Sequence, residues 1–373
     1  MKVIVNVARI LVGVLFIFSG LVKAIDPLGL AYKMQEFFEV WAADGYMKGM
    51  MMWLHGHALL FSVFMISLEV ILGVSLLLGI WKKLTAWLLL LLMFFFTFLT
   101  SYVLFSGKIR ACGCFGDCIP LTPIQTFTKD IILLVLVLLI LIKISYIKPV
   151  FPNRVNIALL LLSIAGVVFL QWYVLRHLPL KDCLPYKEGN DLYKLRQMPA
   201  DAVQDKYSYS FIYEKDGVKK EFTTIPDSTW KYVDRKQTLV QKGKNNVPLI
   251  NDFTFTTRSG NDTTEAILGE DREYYLLFIK TMDDYPKNWD KDIQVINALQ
   301  KKKIPIYIVT AQPDKVKEKF AGKIETGLPP VFTCDVTAIK TAARANPTIF
   351  KMKGPVVQSK KSWADFDDVI KQQ

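Results

Sequence analysis

The stretch HALLFSVFMISLEVILGVSLLLGI, residues 57–80, decides the architecture. As a helix it is long enough to cross roughly 30 Å of hydrocarbon, which takes about 20 residues. It contains one acid, Glu69, and no Lys or Arg. Similar runs stand near residues 4–24, 84–106, 129–147 and 155–176, so five spans are expected. The first has Lys2 as a short basic lead, as a signal peptide would. With no small-x-small cleavage site behind it and further spans following, it reads as a retained helix.

Composition divides the 373-residue chain in two. Residues 1–177 hold 14 Lys/Arg and 7 Asp/Glu, whereas residues 178–373 hold 32 and 27. The first part reads as a membrane bundle and the second as soluble. A net charge of +12 raises nucleic acid as a partner, but the basic residues are scattered and no nucleic-acid motif accompanies them, so that class is set aside. The bilayer is the expected partner of the first half.

Short loops enriched in Lys and Arg face the cytoplasm. With the N-terminus inside, the inner segments carry Lys2, Arg9, Lys82, Lys83, Lys143, Lys148 and Arg154 and no acid. The third loop, facing outward, mixes Lys108, Arg110 and Lys129 with Asp117 and Asp130. An odd number of spans then places the C-terminal half outside: a multi-pass inner-membrane protein with a periplasmic domain, if the source is Gram-negative. In the first outer loop Leu30, Met34, Phe37, Phe38 and Trp41 fall at helical spacing opposite Lys33, Gln35, Glu36 and Glu39. That pattern fits either a helix lying in the interface or one capping the bundle.

Glu69 sits mid-span, where a lone carboxylate is expensive and marks a functional hypothesis. With His57 and Lys23 as interface markers and a rise of about 1.5 Å per residue, Glu69 is roughly 18 Å deep and Arg9 roughly 21 Å. An Arg9–Glu69 pair is therefore expected, serving either packing or a proton or quinone site.

Between the third and fourth spans stands Ala111-Cys112-Gly-Cys114-Phe-Gly-Asp-Cys118, and Cys183 follows the last span. Glycines at 113 and 116 let the backbone turn so that nearby sulfurs can meet. A short-loop Cys112–Cys114 disulfide would exchange with partner thiols. A Cys114–Cys118 bridge, or one from the loop to Cys183, would instead be a staple. Zinc prefers four Cys or His ligands with C-x2-4-C spacing, which this loop fits poorly, so no metal site is expected.

Several of these features resemble the DoxX/MauE family of small membrane proteins. They are Phe18-Ser-Gly-Leu-Val-Lys23 with Asp26-Pro-Leu-Gly-Leu-Ala31, Glu69-x3-Gly73, Cys112-Gly-Cys-Phe-Gly116 and Lys129-Asp130, across residues 1–147. The stretch at 178–190 further resembles Bacteroidetes members with an appended C-terminal domain. The resemblance implies thiol redox or quinone-linked work in maturing periplasmic proteins, with Cys112, Cys114 and Cys118 as the redox loop, Cys183 as a partner and a quinone as the one cofactor to consider. Periplasmic clients or redox partners would be its substrates. The alternative is a non-enzymatic membrane scaffold with structural disulfides and a docking domain.

Residues 178–247 read as a connecting segment, β-rich from 203, with a hairpin turning at Asp216-Gly217. Residues 248–373 alternate strands and helices before a closing hairpin over 347–358. That order, with Asn346-Pro347-Thr348-Ile349-Phe350 opening the hairpin, resembles the thioredoxin fold, which places a cis proline there. The resemblance implies partner binding at Pro347 and Thr348. It departs from the pattern where a C-x-x-C is expected, since Asp283-Asp284-Tyr285-Pro286 stands there. Cys334, at the end of an apolar strand, reads as a small buried hydrophobe. The expected whole is an α-helical polytopic membrane bundle of about five transmembrane helices (1–177), a connecting segment (178–247) and a soluble α/β thioredoxin-like domain without redox cysteines (248–373).

Overall fold

A computed structural model describes residues 1–109, 113, 115–241, 243–283, 285–286 and 290–371. Five helices are long and apolar enough to cross a membrane: α1 (Lys2–Ala24), α4 (Ala58–Leu78), α5 (Lys82–Ser106), α6 (Pro123–Ile142) and α7 (Asn153–His177). Two shorter helices, α2 (Pro27–Ala43) and α3 (Lys48–Gly56), fill the connection after α1. The bundle interior is apolar, built from Val5, Val12, Leu76, Leu89, Met93 and Val137. Leu11, Phe94, Leu162 and Phe169 remain exposed on its outside, the surface that lipid would cover.

Small residues set how α1 meets α4. Without a hydrophobic drive between helices in lipid, close backbone approach favours glycine. A Cβ at Gly73 would stand 2.8 Å from the Gly13 carbonyl and 2.8 Å from Ile17 Cγ1, and one at Gly20 would stand 2.6 Å from Val70. These contacts fix the register: Gly20 lies beside Glu69 and Val70, while Arg9 lies beside Gly79.

The fourth span begins earlier than expected. Thr122 and Gln125 form a capping box and Pro123 occupies the first turn, a combination that satisfies the free N–H groups of a helix start. Lys129 and Asp130 therefore belong to α6, not to the outer loop. The amphipathic first loop is also resolved. Phe37 of α2 is buried beside Val103 and Ile109, with Trp41 packed against them, so α2 caps the bundle.

Beyond α7, α8 (Leu192–Arg196) leads to an antiparallel sheet of β1 (Lys206–Lys215), β2 (Val218–Phe222) and β3 (Lys231–Gln241), in order β2-β1-β3. Its Asp216-Gly217 turn has both φ angles positive, 52° and 78°, as a two-residue hairpin requires. The remaining elements are α9 (Thr264–Leu268), β4 (Glu273–Ile279), α10 (Asp290–Lys301), β5 (Ile306–Thr310), α11 (Pro313–Phe320), β6 (Val331–Thr333), α12 (Val336–Ala342), β7 (Thr348–Lys353), β8 (Val356–Ser362) and α13 (Phe366–Lys371).

They form a five-stranded sheet of order β6-β5-β4-β7-β8. Parallel pairing joins β4 to β5 and β5 to β6, and antiparallel pairing joins β4 to β7 and β7 to β8. Alternation along β4 sends Tyr274, Leu276 and Phe278 toward α9 and α12, and Tyr275, Leu277 and Ile279 toward α10, α11 and α13. Both faces are covered, which is why β4 is apolar throughout. Residues 253–256 make only isolated bridges, Thr256 to Thr333 and Thr256 to Asp262. The segment after α7 differs from expectation. Tyr186 and Leu192 are buried in the core of this sheet, and Asp191 bridges Val356, so part of the connecting segment completes the five-stranded unit.

The glycine register is testable. Gly73→Val should lower the stability of the full-length protein by about 1–3 kcal/mol through overpacking. Gly166→Val should leave it unchanged, because nothing lies within 4 Å of the place a Cβ would take at that position. Thermal unfolding in detergent reads both.

Candidate functional site

Cys112 and Cys114, with Arg110 and Ala111, lie outside the described residues. Around them, Gly113 and Gly116 adopt left-handed φ of 71° and 59°, and the Gly116 N–H donates to the Gly113 carbonyl at 2.9 Å. The loop turns tightly, as its glycines allow. Phe115 packs on Phe18, with ring centroids 5.9 Å apart, and Lys129 Nζ lies 4.9 Å from its centroid. Gly113 and Phe115 line a narrow cavity of about 50 Å³ reaching into the bundle.

Two ion pairs line that cavity. Lys23 Nζ donates to Glu69 Oε1 at 2.5 Å, both side chains being almost fully buried. Lys129 Nζ stands 2.8 Å from Asp130 Oδ1. Phe96, Met93, Met65 and Leu133 complete the apolar wall. Glu69 Oε2 and Asp130 Oδ2 are buried and accept no hydrogen bond among the described residues.

The expected Arg9–Glu69 pair is not formed. Arg9 instead donates to the carbonyls of Leu76 at 2.8 Å, Leu77 at 2.6 Å and Lys148 at 3.1 Å. The last carbonyls of a helix lack partners within it, and Arg9 serves those at the end of α4. Counting depth from the helix ends misplaces the pair because it sets Lys23 level with His57. The glycine contacts slide α1 along α4 until Lys23, in the last turn of α1, meets Glu69. Hydropathy alone gives no sign of Lys23 or of the Lys129–Asp130 pair as cavity residues, since it puts each at or beyond the membrane boundary.

Cys118 and Cys183 form a disulfide with Cα atoms 4.9 Å apart, closing 65 positions of chain. It ties the cysteine loop to the segment after α7. Cys334 is buried, 4% exposed, and desolvation pushes its thiol up to about 12, so it is held neutral.

The soluble half meets this loop through Arg344. Its Nε donates to Asp26 Oδ2 at 2.8 Å and its Nη2 to Asp117 Oδ2 at 2.8 Å. Burial opposes the guanidinium charge, yet the two carboxylates outweigh it and raise the Arg344 pKa. Asp26 is also the N-cap of α2, accepting from the Gly29 N–H. His177 to Asp365 at 2.7 Å adds a further contact between the halves, and Lys360 to Asp182 at 2.6 Å ties the segment after α7 to β8.

Next to Arg344 the Asn346–Pro347 peptide is cis. Asn346 holds the neighbouring strand end, accepting from the Lys280 N–H at 2.9 Å and donating to the Thr281 carbonyl at 2.7 Å. Pro347 and Thr348, expected to meet a partner, are both buried. The Thr348 hydroxyl turns inward to the Ala345 carbonyl at 2.9 Å. Ala345 and Asn346 are the members of this segment that line a cleft. At the position expected for C-x-x-C, Asp284 is outside the described residues. The Tyr285 hydroxyl donates to Asp292, whose carboxyl burial pushes up to about 7. Among the described residues no group of three or more His, Cys, Asp and Glu is placed to hold a metal.

Residues 1–143 match the family model described as "Methylamine utilisation protein MauE", and residues 207–242 match "Domain of unknown function (DUF8463)". Protein TlpB of Flavobacterium psychrophilum is 34% identical over 127 residues, covering 33% of this chain and 32% of that protein. The chain thus spans about a third of the length of this relative. No solved structure matches the chain.

Breaking a buried ion pair by removing one partner costs about 3–5 kcal/mol, whereas an apolar pair of similar volume is often tolerated. Glu69→Leu alone should therefore destabilise the full-length protein in nanodiscs more than Lys23→Met and Glu69→Leu together. Arg9→Ala combined with Glu69→Leu should give additive losses. Thermal unfolding of the two mutant cycles reads both, and coupling of Glu69 to Arg9 instead of Lys23 would contradict the geometry.

Proposed function

We propose that the chain is a membrane thiol–disulfide oxidoreductase of the DoxX/MauE type acting on proteins of the periplasm. The observation that carries this reading is the position of the cysteine loop. Its Gly113 and Phe115 roof a cavity holding two ion pairs, and its Asp117 is gripped by the soluble half.

The balance of the reaction is simple. A client thiolate attacks a Cys112–Cys114 disulfide, and the loop cysteine released carries away the first electron pair as a thiolate. The second client thiol then attacks the mixed disulfide, leaving an oxidised client and a reduced loop. Two electrons and two protons pass from client to loop. Lys129, beside Phe115, would favour the thiolate form of a neighbouring cysteine, since nearby positive charge lowers a thiol pKa. When the reduced loop is reoxidised, Glu69 and Asp130 would hold the two protons its thiols give up.

The cavity's chemistry fits a quinone and its quinol, with Phe96 and Phe115 as flat apolar walls, Lys23 and Lys129 as donors to quinone carbonyls, and the unsatisfied Glu69 and Asp130 oxygens as acceptors from quinol hydroxyls. At about 50 Å³ it would admit a ring only with Phe115 or Met34 displaced. A bound quinone would supply the two-electron acceptor that resets the loop.

The soluble half fits a thioredoxin-like domain that presents clients. The strand order β6-β5-β4-β7-β8, with cis Asn346–Pro347 ahead of β7, supports that reading. Lacking C-x-x-C, it would bind and orient rather than exchange thiols. With the N-terminus cytoplasmic, the loop and this domain share the periplasmic side, where a Cys118–Cys183 disulfide is stable. That same disulfide also favours a second reading, a scaffold whose loop cysteines are staples.

Alkylation trapping in cells separates the two. Under the exchange reading, Cys112→Ser or Cys114→Ser should leave one loop thiol that captures clients in a mixed disulfide visible on non-reducing gels, while Cys118→Ser should not. Loop cysteines that stay oxidised in the wild type, with no captured partner in either variant, would leave the scaffold.

A further inference from the structure

A cleft of about 950 Å³ lies between the two halves. One wall belongs to the membrane half: Leu28 of α2, Leu59 at the start of α4, and Leu175 near the end of α7. The facing wall brings Lys280, Lys340 and Arg344 from the soluble half, and Arg176 stands at the rim. Among the described residues lining it there is no carboxylate.

Three of these cations crowd a single ring. Lys280 Nζ, Lys340 Nζ and the Arg344 guanidinium lie 5.9, 5.3 and 5.3 Å from the centroid of Tyr32. Arg344 is matched by Asp26 and Asp117. Lys340 donates to the neutral Gln35 at 3.3 Å, and Arg176 stacks 5.0 Å from Trp172 and 5.5 Å from Trp363. Lys280 Nζ donates to the Tyr32 hydroxyl at 3.2 Å and to the Arg344 carbonyl at 3.0 Å, so the described lining brings cations and no carboxylate from one side and apolar surface from the membrane half on the other.

The height of the cleft identifies what suits it. Trp and Tyr gather where a bilayer meets water. Trp53 is exposed beside the start of α4 and Trp172 beside the end of α7, at the level of Leu59 and Leu175. Leu60 and Phe169 on the same two helices are exposed on the outside of the bundle, the surface that lipid would cover. An occupant must present an anion at headgroup depth and an apolar body lying against Leu59 and Leu175.

We propose that this cleft binds the headgroup of an anionic phospholipid from the leaflet on the soluble domain's side. Lys280 and Lys340 meet the phosphate, Arg176 closes the rim, and an acyl chain lies along Leu59 and Leu175. The lipid ties the soluble half to the membrane beside the Arg344 contact. This site is separate from the cysteines and holds whether or not they exchange thiols.

The test uses full-length protein in nanodiscs containing equal amounts of phosphatidylglycerol and phosphatidylcholine, with retained lipid read by native mass spectrometry. Wild type should retain phosphatidylglycerol preferentially. Lys280→Gln and Lys340→Gln should each lower the preference roughly fivefold, the effect of one surface cation. Lys340→Arg should keep it, as should Lys291→Gln on α10, and melting curves identify any variant that fails to fold. Equal retention of both lipids by wild type would overturn the proposal. So would displacement of the bound headgroup signal by an acidic peptide with no preference among lipids, which would make the cleft a peptide site.

Discussion

One guanidinium holds the two halves in their arrangement. Arg344 leaves water to reach Asp26 at the start of α2 and Asp117 in the cysteine loop. A buried charge of this kind persists only when its partners are in place, because removing one leaves the other uncompensated. Asp26 is fixed by its role as a helix cap, and Asp117 sits one residue before the Cys118–Cys183 disulfide. The soluble half is therefore positioned against a helix cap and a disulfide-tied loop.

From that contact the rest of the arrangement follows. Arg344 precedes Asn346 and cis-Pro347, so anchoring it sets the cis-proline segment over α2 and leaves the cationic cleft to one side. Anchoring Asp117 holds Phe115 and Gly113 across the mouth of the intramembrane cavity. Within the bundle the governing constraint is different: glycine contacts between α1 and α4 choose the register, and the register decides that Glu69 meets Lys23. The two constraints meet at the cavity, with Lys23–Glu69 and Lys129–Asp130 on its walls and the loop above.

How much of this is legible in the sequence depends on range. The five spans, the α2 amphipathic face and the Asp216-Gly217 turn are readable because each rests on local periodicity or turn chemistry. The start of α6 escapes a hydropathy reading because hydrophobicity begins after Lys129-Asp130, while the capping box at Thr122 begins the helix earlier. The Arg9–Glu69 expectation fails because depth counting assumes aligned helix ends, and backbone contact between glycines slides them. Arg344 carries no signal at all, its partners lying 318 and 227 positions away. A basic residue just past a short helix of a lysine-rich domain looks like any other until the fold brings two acids to it. Burial of Pro347 and Thr348 is equally invisible, since it arises from packing across the closing hairpin.

Hydrogen exchange on full-length protein in nanodiscs tests the central claim, that Arg344 fixes the soluble half over the cysteine loop. Arg344→Gln should raise exchange in residues 26–34 and 340–346 together, while β4 and β5 stay protected. A charge swap of Arg344→Asp with Asp117→Arg should restore part of the protection. Unchanged exchange at both segments in Arg344→Gln would contradict the account.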